Sequence, residues 1–176
     1  MKQYSKRMVI IHWLTLFLVI AAYFLGTSLD EARHAGNAQL FGYIVHVLVG
    51  GTVLLLVVLR LNFRGMDGTP PPIGDSLMDL VAKGIHHVLY ALLVLLPVSG
   101  FMTLLTSGVG NALLSGDASL LPLKYTGAGF LPHKVHETLM WVLIVVVAVH
   151  ILGALKHQFI LKDGLMERMS LRRKGK

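Results

Sequence analysis

The 176-residue chain is 55% hydrophobic and 14% charged, with a formal net charge of +7 and no cysteine, a composition that belongs to integral membrane proteins rather than soluble domains. Without cysteine, disulfides, thiolate nucleophiles, iron–sulfur clusters and thiolate-ligated haem are excluded, so any metal chemistry uses nitrogen or oxygen ligands. The positive charge is read as positive-inside bias and attraction to membrane lipid, not as a nucleic-acid footprint.

Residues 1 to 7, MKQYSKR, are basic and polar, and residues 8 to 29, MVIIHWLTLFLVIAAYFLGTSL, carry no formal charge. The apolar run outlasts the roughly 7 to 15 residues of a signal-peptide core, and no A-x-A-like cleavage site follows. A retained first transmembrane helix is therefore predicted over about 8–29. Asp30 to Gln39 reads as a short polar loop, and a second apolar run over about 40–61 carries His46 and is closed by Arg60. The next stretch, NFRGMDGTPPPIGDS, has three consecutive prolines and three glycines and cannot continue a helix. Leu77 to Lys83 mixes apolar residues with Asp79 and Lys83, as an interfacial turn of helix would. A third span is predicted over about 84–105, with Pro97 and Gly100 inside it; a kink is tolerable there because neighbouring helices can satisfy the freed carbonyl. Ser107 to Pro132 is the longest connection, rich in glycine, serine and leucine, and fits a segment that lies on the membrane surface or covers one bundle end. A fourth span is predicted over about 134–155, followed by a basic tail over 156–176.

Four spans of about 20 residues use nearly all of these residues. One membrane domain over 1–176 is expected, an all-α antiparallel bundle of four transmembrane helices, with no stretch left for a soluble catalytic domain and no internal repeat. Lysine and arginine set its orientation. Thirteen (Lys2, Lys6, Arg7, Arg60, Arg64, Lys83, Lys156, Lys162, Arg168, Arg172, Arg173, Lys174 and Lys176) fall on the side of the termini, against Arg33, Lys124 and Lys134 on the other. Both termini are expected in the cytoplasm.

The fourth span carries His136 and His150, fourteen residues apart (150−136). That is about 21 Å along a helix axis and within about 40° of one face. Ionisable side chains at such depth read as functional, with partners on other helices. Alternating helix directions match His12 with His150 near the inner edge and His46 with His136 near the outer edge. Two layers of paired imidazoles across helices are the arrangement that clamps a planar cofactor, and haem b accepts two axial imidazoles. Two haem b groups with bis-histidine ligation are expected, and Gly50, Gly51 and Gly153 would let a bulky ring approach the backbone.

His86 and His87 open the third span on the inner side, where they either compete for the inner site or hydrogen-bond haem propionates or a quinone. His34, His133 and His157 lie in or beside loops and are expected to be solvated, with His133 and Lys134 also able to form a cationic rim over the outer haem. HETLM begins like the zincin motif, but Met140 stands where the second histidine belongs, which disfavours a metalloprotease. Glu137 is read instead as a hydrogen-bond acceptor behind a ligand or a helix N-terminal charge. Trp13, Tyr23, Tyr43, Tyr90 and Trp141 read as interfacial or core packing. Arg60 reads as a membrane anchor, with a propionate contact as the functional alternative.

YSKRMVIIHW at the start, His46 followed by glycine and later Arg60, HHVLY leading to PVSG, KVHETL, and HILGALKHQFILKDGLMERM together resemble the bacterial di-haem cytochrome b561 family across essentially the whole chain. The resemblance implies a four-helix bundle in the bacterial inner membrane binding two b-type haems, with His12, His46, His136 and His150 on the ligand positions. It also implies electron transfer with the quinone pool, ubiquinone being the substrate, and for some members a superoxide oxidase activity fed by a small periplasmic donor. This chain has Gln158 after His157, where similar sequences often have a second histidine. With no open axial position the chemistry is expected to be outer-sphere, one electron at a time. Lys124, His133 and Lys134 would steer an anionic donor such as superoxide. The alternative is a haem b anchor subunit carrying electrons for a partner dehydrogenase or hydrogenase. A histidine-lined transporter is disfavoured because Glu137 is the one carboxylate in the spans.

Overall fold

The structure, a computed structural model, describes residues 3–71, 74 and 77–172. Among the described residues there is no strand, and four helices are long and apolar enough to cross a membrane. They are α1 (Lys6–His34), α2 (Leu40–Asp67), α3 (Leu77–Thr106) and α5 (Phe130–Leu155), with a short α4 (Val109–Ser115) in the longest connection. Lys2, Arg173, Lys174 and Lys176 of the charge count, and 72–73 and 75–76 of the proline loop, lie outside the described residues.

Each helix outruns its predicted span, because the apolar run marks the bilayer and not the helix. Ser5 caps α1 by accepting from the Met8 N–H, which satisfies one of the orphan donors of the first turn. The far end of α1 passes Leu29 and continues to His34, held by Asp30, which pairs with Arg33 and accepts from His34 one turn later. Helix α2 likewise does not stop at Arg60. Its stop is Gly68, in positive φ at 68°, a conformation costly for residues with a Cβ. The turn at Leu77 to Lys83 is continuous with α3. Helix α5 starts at Phe130 with Pro132 in its first turn, where the missing N–H costs nothing.

The long helices form two broadly packed pairs, α1 with α2 and α3 with α5, joined where α2 meets α3. Met8, Val57 and Leu143 are buried between them, whereas Phe17, Phe24 and Phe41 are exposed on the outer surface. In lipid an outward phenylalanine needs no cover, so the chain spends its few buried positions on the helix contacts. Helix α4 packs on α3, with Val109 and Ala112 buried, and covers one end of the bundle.

The tail closes the opposite end. After α5 the chain makes a π-helical turn over Lys156–Leu161 and folds back. The Tyr4 N–H donates to the Arg168 carbonyl at 3.1 Å, Trp13 Nε1 to the Met169 carbonyl at 3.1 Å, and Arg168 to the Pro71 carbonyl at 2.7 Å. Both terminal segments therefore meet at one end, the terminal end, and the α4 connection lies at the far end.

Candidate functional site

Two histidine pairs bridge the helix pairs. At the terminal end the rings of His12 on α1 and His150 on α5 have centroids 6.3 Å apart and planes at 74°. At the far end His46 on α2 and His136 on α5 stand 6.2 Å apart at 82°. Two imidazoles on opposite faces of one metal ion, with bonds of about 2.0–2.1 Å and ring centres about 1 Å beyond the nitrogens, stand roughly 6 Å apart. The donor set and the spacing of both pairs therefore fit one iron each.

The surroundings differ between ends. His136 Nδ1 donates to the Leu96 carbonyl at 2.9 Å and lies 3.1 Å from Ser99 Oγ, which leaves Nε2 for a ligand. Fixing one ring nitrogen on a carbonyl is how metal-binding histidines are oriented. That carbonyl is one residue before Pro97, so the proline-bearing stretch of α3 meets α5 through a histidine. Gly100 lies so close to His136 that a Cβ there would sit 2.9 Å from Cε1, and a Cβ at Gly26 would sit 3.2 Å from His46 Cε1. At Gly50, Gly51 and Gly153, which the sequence singled out, an added Cβ meets nothing within 4 Å. That open space is room a bulky ring could use, while Gly26 and Gly100 lie against the His46 and His136 rings from the facing helices, close approaches that the sequence does not mark. His46 Nδ1 is buried without a well-formed hydrogen bond, although the Ala22 carbonyl faces it.

At the terminal end Arg60 Nη1 donates to His12 Nδ1 at 2.8 Å. His86 Nδ1 donates to the Ala82 carbonyl, and its ring lies 5.2 Å from that of His150, centroid to centroid. His86 thus joins the inner cluster, at a spacing short of the value for two ligands across one ion. His87 donates to the Lys83 carbonyl, and no ring contact brings it to the cluster.

The loop histidines differ from expectation in two of three cases. His34 is exposed beside Asp30. His133 is stacked on Tyr125, centroids 3.9 Å apart, beneath the Arg33 guanidinium 4.9 Å from the Tyr125 ring. His157 is bonded to Asp163 at 2.5 Å. Neither is simply solvated, because the α4 connection and the tail fold back over them. Burial, with the nearby Tyr43 hydroxyl, pushes the Tyr125 phenol up. Burial opposes ionisation of Asp163, but the bonds from His157 and the Leu165 N–H outweigh it and hold the carboxyl below its ordinary value. Of the steering candidates, Lys124 is exposed and Lys134 is paired with Glu137 at 2.9 Å. Glu137 is therefore a partner of Lys134.

Residues 3–170 match the family model described as prokaryotic cytochrome b561. The chain belongs to that family. It is 30% identical to cytochrome b562 of Cereibacter sphaeroides over 94% of each chain. It is 28% identical to the probable superoxide oxidase CybB of Yersinia pestis over 99% of each, and 26% identical to cytochrome b561 homolog 1 of Escherichia coli over 99% of this chain and 100% of that one. Membership makes it a haem b electron-transfer protein with four membrane-spanning helices.

Proposed function

We propose that this cytochrome carries two haem b groups, one between His12 and His150 and one between His46 and His136, and passes single electrons between a small periplasmic donor and the membrane quinone pool. The observation that carries the reading is the near-equal spacing of the two cross-helix pairs, 6.3 and 6.2 Å, at opposite ends of one bundle. Its likeness to a probable superoxide oxidase supports superoxide as the donor, and in this reading ubiquinone is the acceptor.

When bound, each haem supplies a reversible one-electron couple. The protein does the rest. His12, His46, His136 and His150 would hold the two groups, and Leu96 and Ser99 fix the His136 ring against rotation. The apolar helices exclude water, so charge moves as electrons and not as ions. Two superoxide ions give two oxygen molecules and two electrons, which with two protons reduce one quinone to the quinol. The excess of lysine and arginine at the terminal end supports a cytoplasmic position for that end in a bacterial inner membrane and a periplasmic one for the His46 and His136 pair. Lys124 is an exposed cation there; Lys134 is exposed too but paired with Glu137, and His133 is stacked on Tyr125.

The test is a reduced-minus-oxidised spectrum with pyridine haemochrome quantitation on the purified protein. Two haem b per chain is the expected result; one removes a histidine pair from the reading, and none overturns it. For the donor, replacing Lys124 and Lys134 should flatten the salt dependence of haem reduction by superoxide. An unchanged salt dependence sinks the steering role.

A further inference from the structure

Arg60 is the cation whose place in the bundle is least accounted for. Arg7 pairs with Asp67 and Arg33 with Asp30, but no ion pair among the described residues includes Arg60. Its partners are instead an imidazole and a ring face. Nη1 donates to His12 Nδ1 at 2.8 Å, and the guanidinium carbon lies 5.8 Å from the Tyr90 ring centroid. The Nε–H is buried with no hydrogen-bond acceptor. A guanidinium held next to three imidazoles, those of His12, His86 and His150, with an unmet buried donor, is unfavourable unless an anion completes it.

The geometry also says which edge is open. With Nη1 engaged, the Nε and Nη2 edge remains, and that edge takes a carboxylate in two parallel hydrogen bonds. The His12 contact adds a second constraint. Arg60 can only donate, so His12 Nδ1 accepts, and the ring proton of the neutral imidazole sits on Nε2. A histidine that gives Nε2 to a metal keeps its proton on Nδ1. The two states exclude each other, so iron ligation by His12 requires the guanidinium to leave Nδ1.

Resting on the di-haem reading, we propose that Arg60 binds a propionate carboxylate of the haem held by His12 and His150, exchanging the His12 ring for that carboxylate when His12 takes the iron. Arg60 is thus a positioning residue for this haem, and its charge would favour the reduced form. The far-end haem has no equivalent arginine: Arg33 is already bonded to Asp30 and the Leu123 carbonyl.

The experiment uses the full chain loaded with haem carrying 13C at its propionate carboxyls, read by redox-difference infrared spectroscopy and by a redox titration of both haems. Arg60→Gln should shift the labelled carboxylate bands and lower one midpoint while leaving the other in place. Arg60→Lys should restore the midpoint but not the bands, since an ammonium lacks the fork. Arg64→Gln, one turn further along α2, controls for charge in general and should change neither. Bands in Arg60→Gln that superimpose on the unmodified protein, or that match Arg64→Gln, overturn the proposal. Should Arg60→Gln lose a haem, Arg60→Lys decides: shifted bands support the proposal and unshifted bands overturn it. A wild-type chain with fewer than two haem b is a separate result, and overturns the di-haem reading instead.

Discussion

At the far end His136 is held by neutral, fixed groups, whereas at the terminal end His12 meets a charge and His150 an extra imidazole. His136 bonds to a backbone carbonyl and a serine hydroxyl, with Gly100 close against its ring. His12 instead accepts from Arg60, and His86 crowds His150. A ring tied to backbone has its tautomer and orientation set before any ligand arrives, whereas a ring that accepts from an arginine has to exchange partners before it can give Nε2 to a metal. The far-end site is thus preorganised and the terminal-end site is adjustable, although one helix, α5, supplies a histidine to each.

The sharpest break in that comparison is removal of a ligand from α5. His136→Ala should take the haem count from two to one and leave the terminal-end haem in place, and His150→Ala should do the reverse. Haemochrome quantitation with the residual spectrum checks this; loss of both or neither rejects the pairing. Gly100→Ala comes next. The added Cβ would sit 2.9 Å from His136 Cε1, and overpacking of this kind costs roughly 1–3 kcal/mol. Far-end haem retention in a competition with apomyoglobin should fall about tenfold or more, while Gly65→Ala, at the terminal end of α2 and with nothing within 4 Å of its added Cβ, should match wild type.

Ser99→Ala should act more weakly, because the Leu96 carbonyl still holds His136 Nδ1. A loss of about 1 kcal/mol is expected for one hydrogen bond, seen as a few-fold faster haem loss from the far end alone. An equal effect at both ends would mean that Ser99 serves the bundle and not the site. The smallest effect concerns the tail. Asp163 has its carboxyl held below the ordinary value, so its contribution is complete above about pH 4 and is lost only as the pH falls through the lowered value. Tail protection in hydrogen exchange should therefore be flat between about pH 5 and pH 8 with respect to this group, and Asp163→Asn should lower it across that range. A tail equally protected in Asp163→Asn means the His157 bond does not hold it.

The four spans were legible because lipid demands long charge-free runs, and residues 8–29 and 134–155 meet that demand without reference to any contact. The histidine pairing was legible too, since helix direction alternates and depth can be counted. Helix ends were not: Arg60 reads as a stop because it is charged, yet arginine is a good helix former, and the backbone stops only at Gly68. Nor were the glycines against the histidine rings legible: Gly26 and Gly100 approach His46 and His136 from neighbouring helices, far away in sequence.

The sequence by itself determined the solvent, the number of spans and the depth of each imidazole, because these follow from the count of residues along helices in a slab of fixed thickness. Only the tertiary structure decided what stands behind each ring. A hydrogen bond between α5 and the Leu96 carbonyl, an arginine on α2 reaching His12, and a tail folded onto Trp13 all depend on helix rotation and distance across the bundle. Those quantities are set by packing between segments far apart in the chain, and a single sequence read along its length does not contain them.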